Sequence, residues 1–134
     1  MKTKLSTQEK EEYNFDESAE EVASAKGLVV VFPEDNQLQI DLDSDEAYKE
    51  FDRRLEAFEL SDTHFESASV VITPSASGLP HRHVTITFPR RTFDESTRML
   101  LQAALNDDPL RVFLNARRFL FGVKNPTRLF EKPE

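Results

Sequence analysis

Two aspartates, Asp41 and Asp43, stand two apart in the run Leu38-Gln39-Ile40-Asp41-Leu42-Asp43. Apolar residues at 38, 40 and 42 alternate with polar ones, which is the period of a half-buried strand. On a strand this spacing points both carboxylates to one face, with their bases about 6–7 Å apart. Such a pair suits one or two hard cations, Mg²⁺ or Mn²⁺, with water and phosphate completing the shell. It equally serves to end an exposed strand and to favour the dipole of a following helix. Asp45 extends the run to D-x-D-x-D, but no EF-hand glycine or closing glutamate follows at the required spacing, which excludes a calcium loop.

His81 and His83 form a second pair at strand spacing, in His81-Arg82-His83-Val84-Thr85-Ile86-Thr87-Phe88. Histidines so placed can donate to a phosphate, act as a general base or sit as structural residues on a wet sheet. An H-x-H pair also chelates zinc, and that reading stays open. Just upstream, Ser75, Ser77 and Gly78 lie in the loop Pro74-Ser75-Ala76-Ser77-Gly78-Leu79-Pro80, where hydroxyls and backbone N–H groups can meet a phosphate or simply make a turn. His64 stands outside any pattern. There is no Walker loop, nucleophile elbow or dinucleotide fingerprint.

The elements that must position these groups follow from periodicity. Gly27–Phe32 is a short β-branched run, and Pro33-Glu34-Asp35-Asn36 is turn chemistry, so it pairs as a hairpin with the strand around Leu38–Leu42. Ser44 caps a helix whose Ala47, Tyr48, Phe51, Leu55 and Phe58 recur at helical spacing to about Leu60. Strands around Val70–Ile72 and Val84–Phe88 flank the Ser/Gly loop. Thr92-Phe93-Asp94-Glu95 reads as a capping box for a helix with Leu100, Leu101, Ala104 and Leu105 inward. Asp108-Pro109 opens a further helix, with Leu110, Phe113, Leu114 and Leu120 as its apolar face and Gly122 at its end. Thr127–Glu131 is a last short strand.

From the second strand the order is β-α-β-β-α-β with its second helix split. This is the RRM-like or ferredoxin-like α+β order: one antiparallel sheet with helices packed on one face, here preceded by an extra strand. The helices then cover Leu38, Ile40, Leu42, Val84, Ile86 and Phe88. Alternation leaves Asp41, Asp43, His81, His83, Thr85 and Thr87 together on the open face.

The 134 residues make one domain, 27–134, behind a flexible acidic tail, 1–26, whose isolated apolar residues cannot bury much surface; a short helix is expected near 17–25. The chain has no cysteine, which removes disulfides and thiolate chemistry, and its formal net charge is −8. No apolar run is long enough to span a membrane and no secretory signal opens the chain, so a cytoplasmic protein is expected. Residues 1–60 carry 17 acidic and 7 basic side chains; residues 61–134 carry 8 and 10. Overall acidity argues against tight non-specific DNA binding, which needs a basic surface. A local arginine site for a nucleotide or strand end is compatible with it, but most of the arginines read as solvated helix faces paired with the acidic half.

These residues resemble the archaeo-eukaryotic primase superfamily, which includes primase-polymerases of plasmids and viruses. Ile40-Asp41-Leu42-Asp43-Ser44 is similar to its hydrophobic strand ending in D-x-D. Ser75-Ala76-Ser77-Gly78 followed by His83-Val84-Thr85-Ile86, with His81 as the other candidate, is similar to its serine–histidine motif. Asp107-Asp108-Pro109-Leu110-Arg111 is similar to a D-D-P-x-R helix start in short virus-borne relatives. The resemblance covers roughly residues 36–132. It implies an RRM-like fold and two-metal phosphoryl transfer in viral or mobile-element DNA replication. It assigns Asp41 and Asp43 to Mg²⁺ or Mn²⁺ and His83 to the triphosphate, with Ser75, Ser77, Gly78, His81 and Arg111 about the nucleotide. Its partners would be a nucleoside triphosphate, a DNA or RNA primer-template and other replication proteins. The family's third metal-binding acid aligns with Asn115, an uncharged and weaker ligand, which implies a weakened or lost catalyst. Two other readings compete. One is a non-enzymatic viral or regulatory protein that engages a basic partner through its acidic N-terminal half. The other is a single-strand-binding RRM, disfavoured because its open face offers Asp, His and Thr where such domains present aromatics.

Overall fold

The computed structural model describes residues 23–133. The expected acidic tail and its helix therefore lie outside the described residues except for their last few positions. There, residues 23–25 are helical and Ala23 is buried.

The described chain is α+β. Its elements are β1 (Val29–Val31), β2 (Gln37–Leu42), α1 (Asp45–Ser61), α2 (Thr63–Glu66), β3 (Ser69–Pro74), β4 (Arg82–Thr87), α3 (Glu95–Ala104), α4 (Pro109–Leu120) and β5 (Leu129–Glu131). β4 is the middle strand of a three-stranded antiparallel sheet in the order β2-β4-β3, with Ile40 opposite Val84 and Ile72 also opposite Val84. One face of this sheet is the core. Leu38, Ile40, Leu42, Val84, Ile86 and Phe88 are fully buried, as their alternation requires, and Phe51 and Leu55 of α1 close over them. Ser44 caps α1, its side chain accepting from the Ala47 N–H. Phe65 of α2 stacks on Phe58 at 4.8 Å and meets Phe88 edge-on at 4.9 Å, extending the core past the end of α1.

The five strands do not form one sheet, and β1 does not make a hairpin with β2. β1 instead pairs antiparallel with β5, Val30 opposite Phe130, as a separate two-stranded sheet. The physical reason lies along the outer edge of β2, where side chains and one backbone amide occupy the bonds a further strand would make. Arg98 Nε donates to Gln37 O at 2.9 Å, and Gln39 N donates to Gln102 Oε1 at 2.8 Å. Arg111 Nη1 donates to Gln39 O at 2.8 Å, Asp41 N to Asp107 Oδ1 at 2.8 Å, and Asp108 N to Asp41 O at 2.9 Å. Buried backbone groups must find partners, and here α3, α4 and their connection supply them.

This edge turns two helices inside out relative to their apolar pattern. The expected inward residues Leu100, Ala104, Leu110, Phe113 and Leu120 are exposed, while Leu101 and Leu114 are only half-buried and Leu105 alone is buried. The buried residues of α3 are Arg98 and Gln102, and those of α4 are Arg111, Asn115 and Arg118. Arg128 is buried too, so these arginines are not the solvated faces their polarity suggests. The cap of α3 also lies two residues later than the T-x-x-E pattern indicates. Asp94, not Thr92, accepts from the N3 amide, that of Thr97. Asp108 caps α4 with Pro109 in its first turn, and Gly122, at φ +75°, follows its end in the left-handed conformation that favours glycine.

Candidate functional site

A cleft of about 450 Å³ opens beside the C-terminal end of β2. Asp41 and Asp43 reach it from β2 and the residue beyond its end. Ser75 and Ser77 come from the β3–β4 loop, and His81 and His83 from the start of β4. The β-ladder explains the meeting, since Asp41 lies directly opposite His83 in the register. Arg111 lines the same cleft from α4. Two expected residues are not brought there. Gly78 shapes the turn at φ +81° but is not part of the wall. Asn115 is buried inside α4, its Oδ1 accepting from Arg118 Nη1 at 3.0 Å, and is likewise absent from the wall. It lies two helical turns beyond the helix start that reaches the carboxylates.

The face bearing these groups is not open. His83 is buried between two carboxylates, with Nε2 3.7 Å from Asp41 Oδ1 and Nδ1 3.4 Å from Glu131 Oε1 of β5. His81 is more exposed, and its Nδ1 lies 3.3 Å from Asp43 Oδ1. Each imidazole is thus matched to its own aspartate. The hydroxyls of Ser75 and Ser77 are hydrogen-bonded to each other at 2.8 Å.

A third carboxylate joins the first two. Asp108, the N-cap of α4, lines the cleft beside Asp43. Burial, and after it the neighbouring Asp43 carboxyl, raise the Asp108 pKa. Burial also raises Asp41 above the ordinary carboxylate range, opposed first by His83 and then by Arg111. Behind them Asp107 is pushed up to about 6 by burial, against the pull of Arg111. Neighbouring carboxylates whose ionised forms are disfavoured by burial would be relieved by a divalent cation, which competes with protons for the same oxygens. Among the described residues no three His, Cys, Asp or Glu side chains close around one metal position. Asp41 and Asp43 would supply at most part of a metal shell, leaving the rest to phosphate and water.

Arg111 is only 7% exposed and already committed. Besides Gln39 O, its guanidinium bonds Asp107 Oδ2 at 2.7 Å, Gln39 Oε1 at 3.3 Å and Arg128 O at 3.3 Å. Its contribution to the cleft is charge rather than free donors. Lys26, Arg118 and Arg128 add further positive charge to the wall. Arg118 is pushed down to about 9 by burial and by the nearby Arg128 and Arg111. The cleft thus combines acids with a cluster of cations, the two charge types a metal-bound phosphate chain presents in reverse.

Asp108, Glu131, Lys26, Arg118 and Arg128 had no place in the sequence pattern of the site. Only Asp108 carried a signal, as the cap before Pro109 and as part of the D-D-P-x-R run, and nothing local connects it to Asp41 sixty-seven positions earlier. Among the described residues no helix is long and apolar enough to cross a membrane. Comparison with protein-family models, with curated proteins and with solved structures gives no match.

Proposed function

We propose that the cleft binds a nucleoside triphosphate together with Mg²⁺ or Mn²⁺, as a primase-polymerase-like domain of a viral or mobile-element replication system. The observation that carries this reading is the meeting of the two motif pairs. Asp41 and Asp43, and Ser75, Ser77, His81 and His83, lie more than thirty positions apart in the chain and line one cleft. The β2-α1-β3-β4 segment supports it as well. Its β2-β4-β3 order is the order expected of the first three strands of an RRM-like sheet, although β5 departs from that pattern by pairing with β1.

In this reading Asp41 and Asp43 hold the cation, and Asp108 takes the acidic place for which Asn115 is too deeply buried. A bound divalent cation would neutralise and align the phosphates. The Ser75 and Ser77 hydroxyls donate to phosphate oxygens, and so does His81. His83, expected on the triphosphate, instead has both ring nitrogens facing carboxylates, Asp41 and Glu131, and so acts by keeping Asp41 oriented. Arg111 supplies fixed positive charge behind them.

Isothermal titration with ATP and dATP, in Mn²⁺ and then in EDTA, tests the reading on wild type and on Asp41→Ala/Asp43→Ala. Metal-dependent binding, lost in the double variant and in EDTA, is expected. Binding that persists in both would overturn it. Asp108→Ala should weaken the metal dependence, whereas Asn115→Ala should leave it unchanged. Because the pKa values of Asp41 and Asp108 are raised, protons compete with the cation, so metal affinity should fall as pH is lowered into the carboxylate range.

A further inference from the structure

The two edges of the three-stranded sheet are treated in opposite ways. The β2 edge is covered by bonds from Arg98, Gln102, Asp107, Asp108 and Arg111. The β3 edge has no strand beside it among the described residues. Ser69, Val71, Ile72, Thr73 and Pro74 are all exposed, Val71 at 55% and Ile72 at 38%, and only Val70 is half-buried. Edges left bare are ordinarily protected by a charge, a proline, a bulge or a very short strand. Of these β3 has only Pro74, at its last position and outside the Ser69–Thr73 stretch. The strand runs six residues in unbroken register with β4, and no charged side chain occurs between Ser67 and Pro80 in a chain that is 31% charged.

We propose that β3 is a self-pairing edge and joins two copies of this chain antiparallel, β3 to β3, into one continuous sheet. Alternation settles which groups are available. On β2 the odd residues bond outward, at Gln39 and Asp41, so the even ones bond to β4. Following the register across β4 leaves the even residues of β3, Val70 and Ile72, with N–H and C=O directed outward. A twofold axis at Val71 then sets Val70 of one copy opposite Ile72 of the other as a hydrogen-bonded pair. Val71 meets Val71, and Ser69 meets Thr73. Every pair is β-branched against β-branched or hydroxyl against hydroxyl, so the strand is complementary to itself. A second copy is favoured over a charged partner strand because this edge offers no charge to recognise. Two chains of net charge −8 also approach with least repulsion along an uncharged strand. The antiparallel arrangement sends the two Ser75–Ser77 loops to opposite ends of the joined sheet, and the paired residues, Ser69–Thr73, are not among those lining the cleft.

The test is sedimentation equilibrium of the full chain over a wide concentration range, with amide hydrogen exchange on the same samples. Wild type should shift from monomer to dimer as concentration rises, and the Val70 and Ile72 amides should gain protection with it. Val71→Lys sets like charges face to face across the axis, and Ile72→Pro removes an outward N–H without touching the β4 ladder. Each should weaken dimerisation at least tenfold while circular dichroism stays unchanged. Should Ile72→Pro disturb the fold, Val71→Lys decides, since its side chain is exposed. A wild type that stays monomeric throughout, a dimer indifferent to Val71→Lys, or a dimer abolished by Leu120→Glu on α4 would each overturn the inference. The last would place the contact on a different face.

Discussion

Helices α1 and α4 flank the same sheet and obey opposite rules. α1 buries Phe51 and Leu55 and turns its acids and arginines outward, with Glu50 bridging Arg54 at 2.9 Å on the surface. α4 buries Arg111, Asn115 and Arg118 and exposes Leu110 and Leu120, at 62% and 79%. Both are amphipathic; what differs is the surface each one meets. α1 lies on an apolar sheet face, where burial of hydrocarbon is the driving term. α3 and α4 lie along a strand edge, where unpaired backbone N–H and C=O groups would each cost about 1–3 kcal/mol if buried unmet. Against such an edge a polar helix face is the stabilising one.

The contrast can be broken most sharply by large truncations on either side. Phe51→Ala should cost about 3–5 kcal/mol through loss of apolar burial and an unfilled cavity. Arg111→Ala should cost about 3–5 kcal/mol for the opposite reason, since it removes the cation paired with buried Asp107 and leaves Asp107 Oδ2 and the Gln39 carbonyl without their Arg111 donor. Urea unfolding of the two variants compares them directly. An Arg111→Ala effect below about 1 kcal/mol would show that the edge bonds add little beyond what water supplies. Gln102→Leu keeps the bulk but removes the acceptor from Gln39 N, and should cost about 1–3 kcal/mol.

Asp107 gives a pH version of the same comparison. Its pKa rises from 3.8 to about 6 on folding, so between those values the folded chain holds a proton that the unfolded chain has released. Its contribution to stability is complete below the lower value and is lost as pH rises through the upper one. The urea midpoint of Asp107→Asn, although lower overall, should therefore change less over that window than the midpoint of wild type. The smallest effect is expected on the outside of α4, where Leu120→Glu should shift monomer stability by no more than about 0.5 kcal/mol. A larger loss would mean that this face is covered.

The site divides in the same way as the helices. His83 and Asp41 were legible as partners because strand alternation alone places them on one face. Their distance from solvent was not, because the cover comes from Glu131 on β5 and from the α3–α4 connection. Asn115 was the natural place to look for a third acid by order along the chain. Asp108 lines the cleft and Asn115 does not, because the N-terminus of α4, and not its middle, is tied to Asp41 by a backbone bond.

Local period was enough to determine β2, β4, the capped helix α1 and the apolar core between them, because each of those segments carries its own alternation and its own cap. It also determined that Asp41, Asp43, His81 and His83 would share a face. Only the tertiary structure decided that β5 would pair with β1, that α3 and α4 would turn polar faces inward, and that Asp108 would line the same cleft as Asp41 and Asp43. A hydrophobic period tells which side of a helix differs from the other, not what lies opposite. Here what lies opposite is the edge of β2, whose backbone demands are met by residues more than sixty positions away.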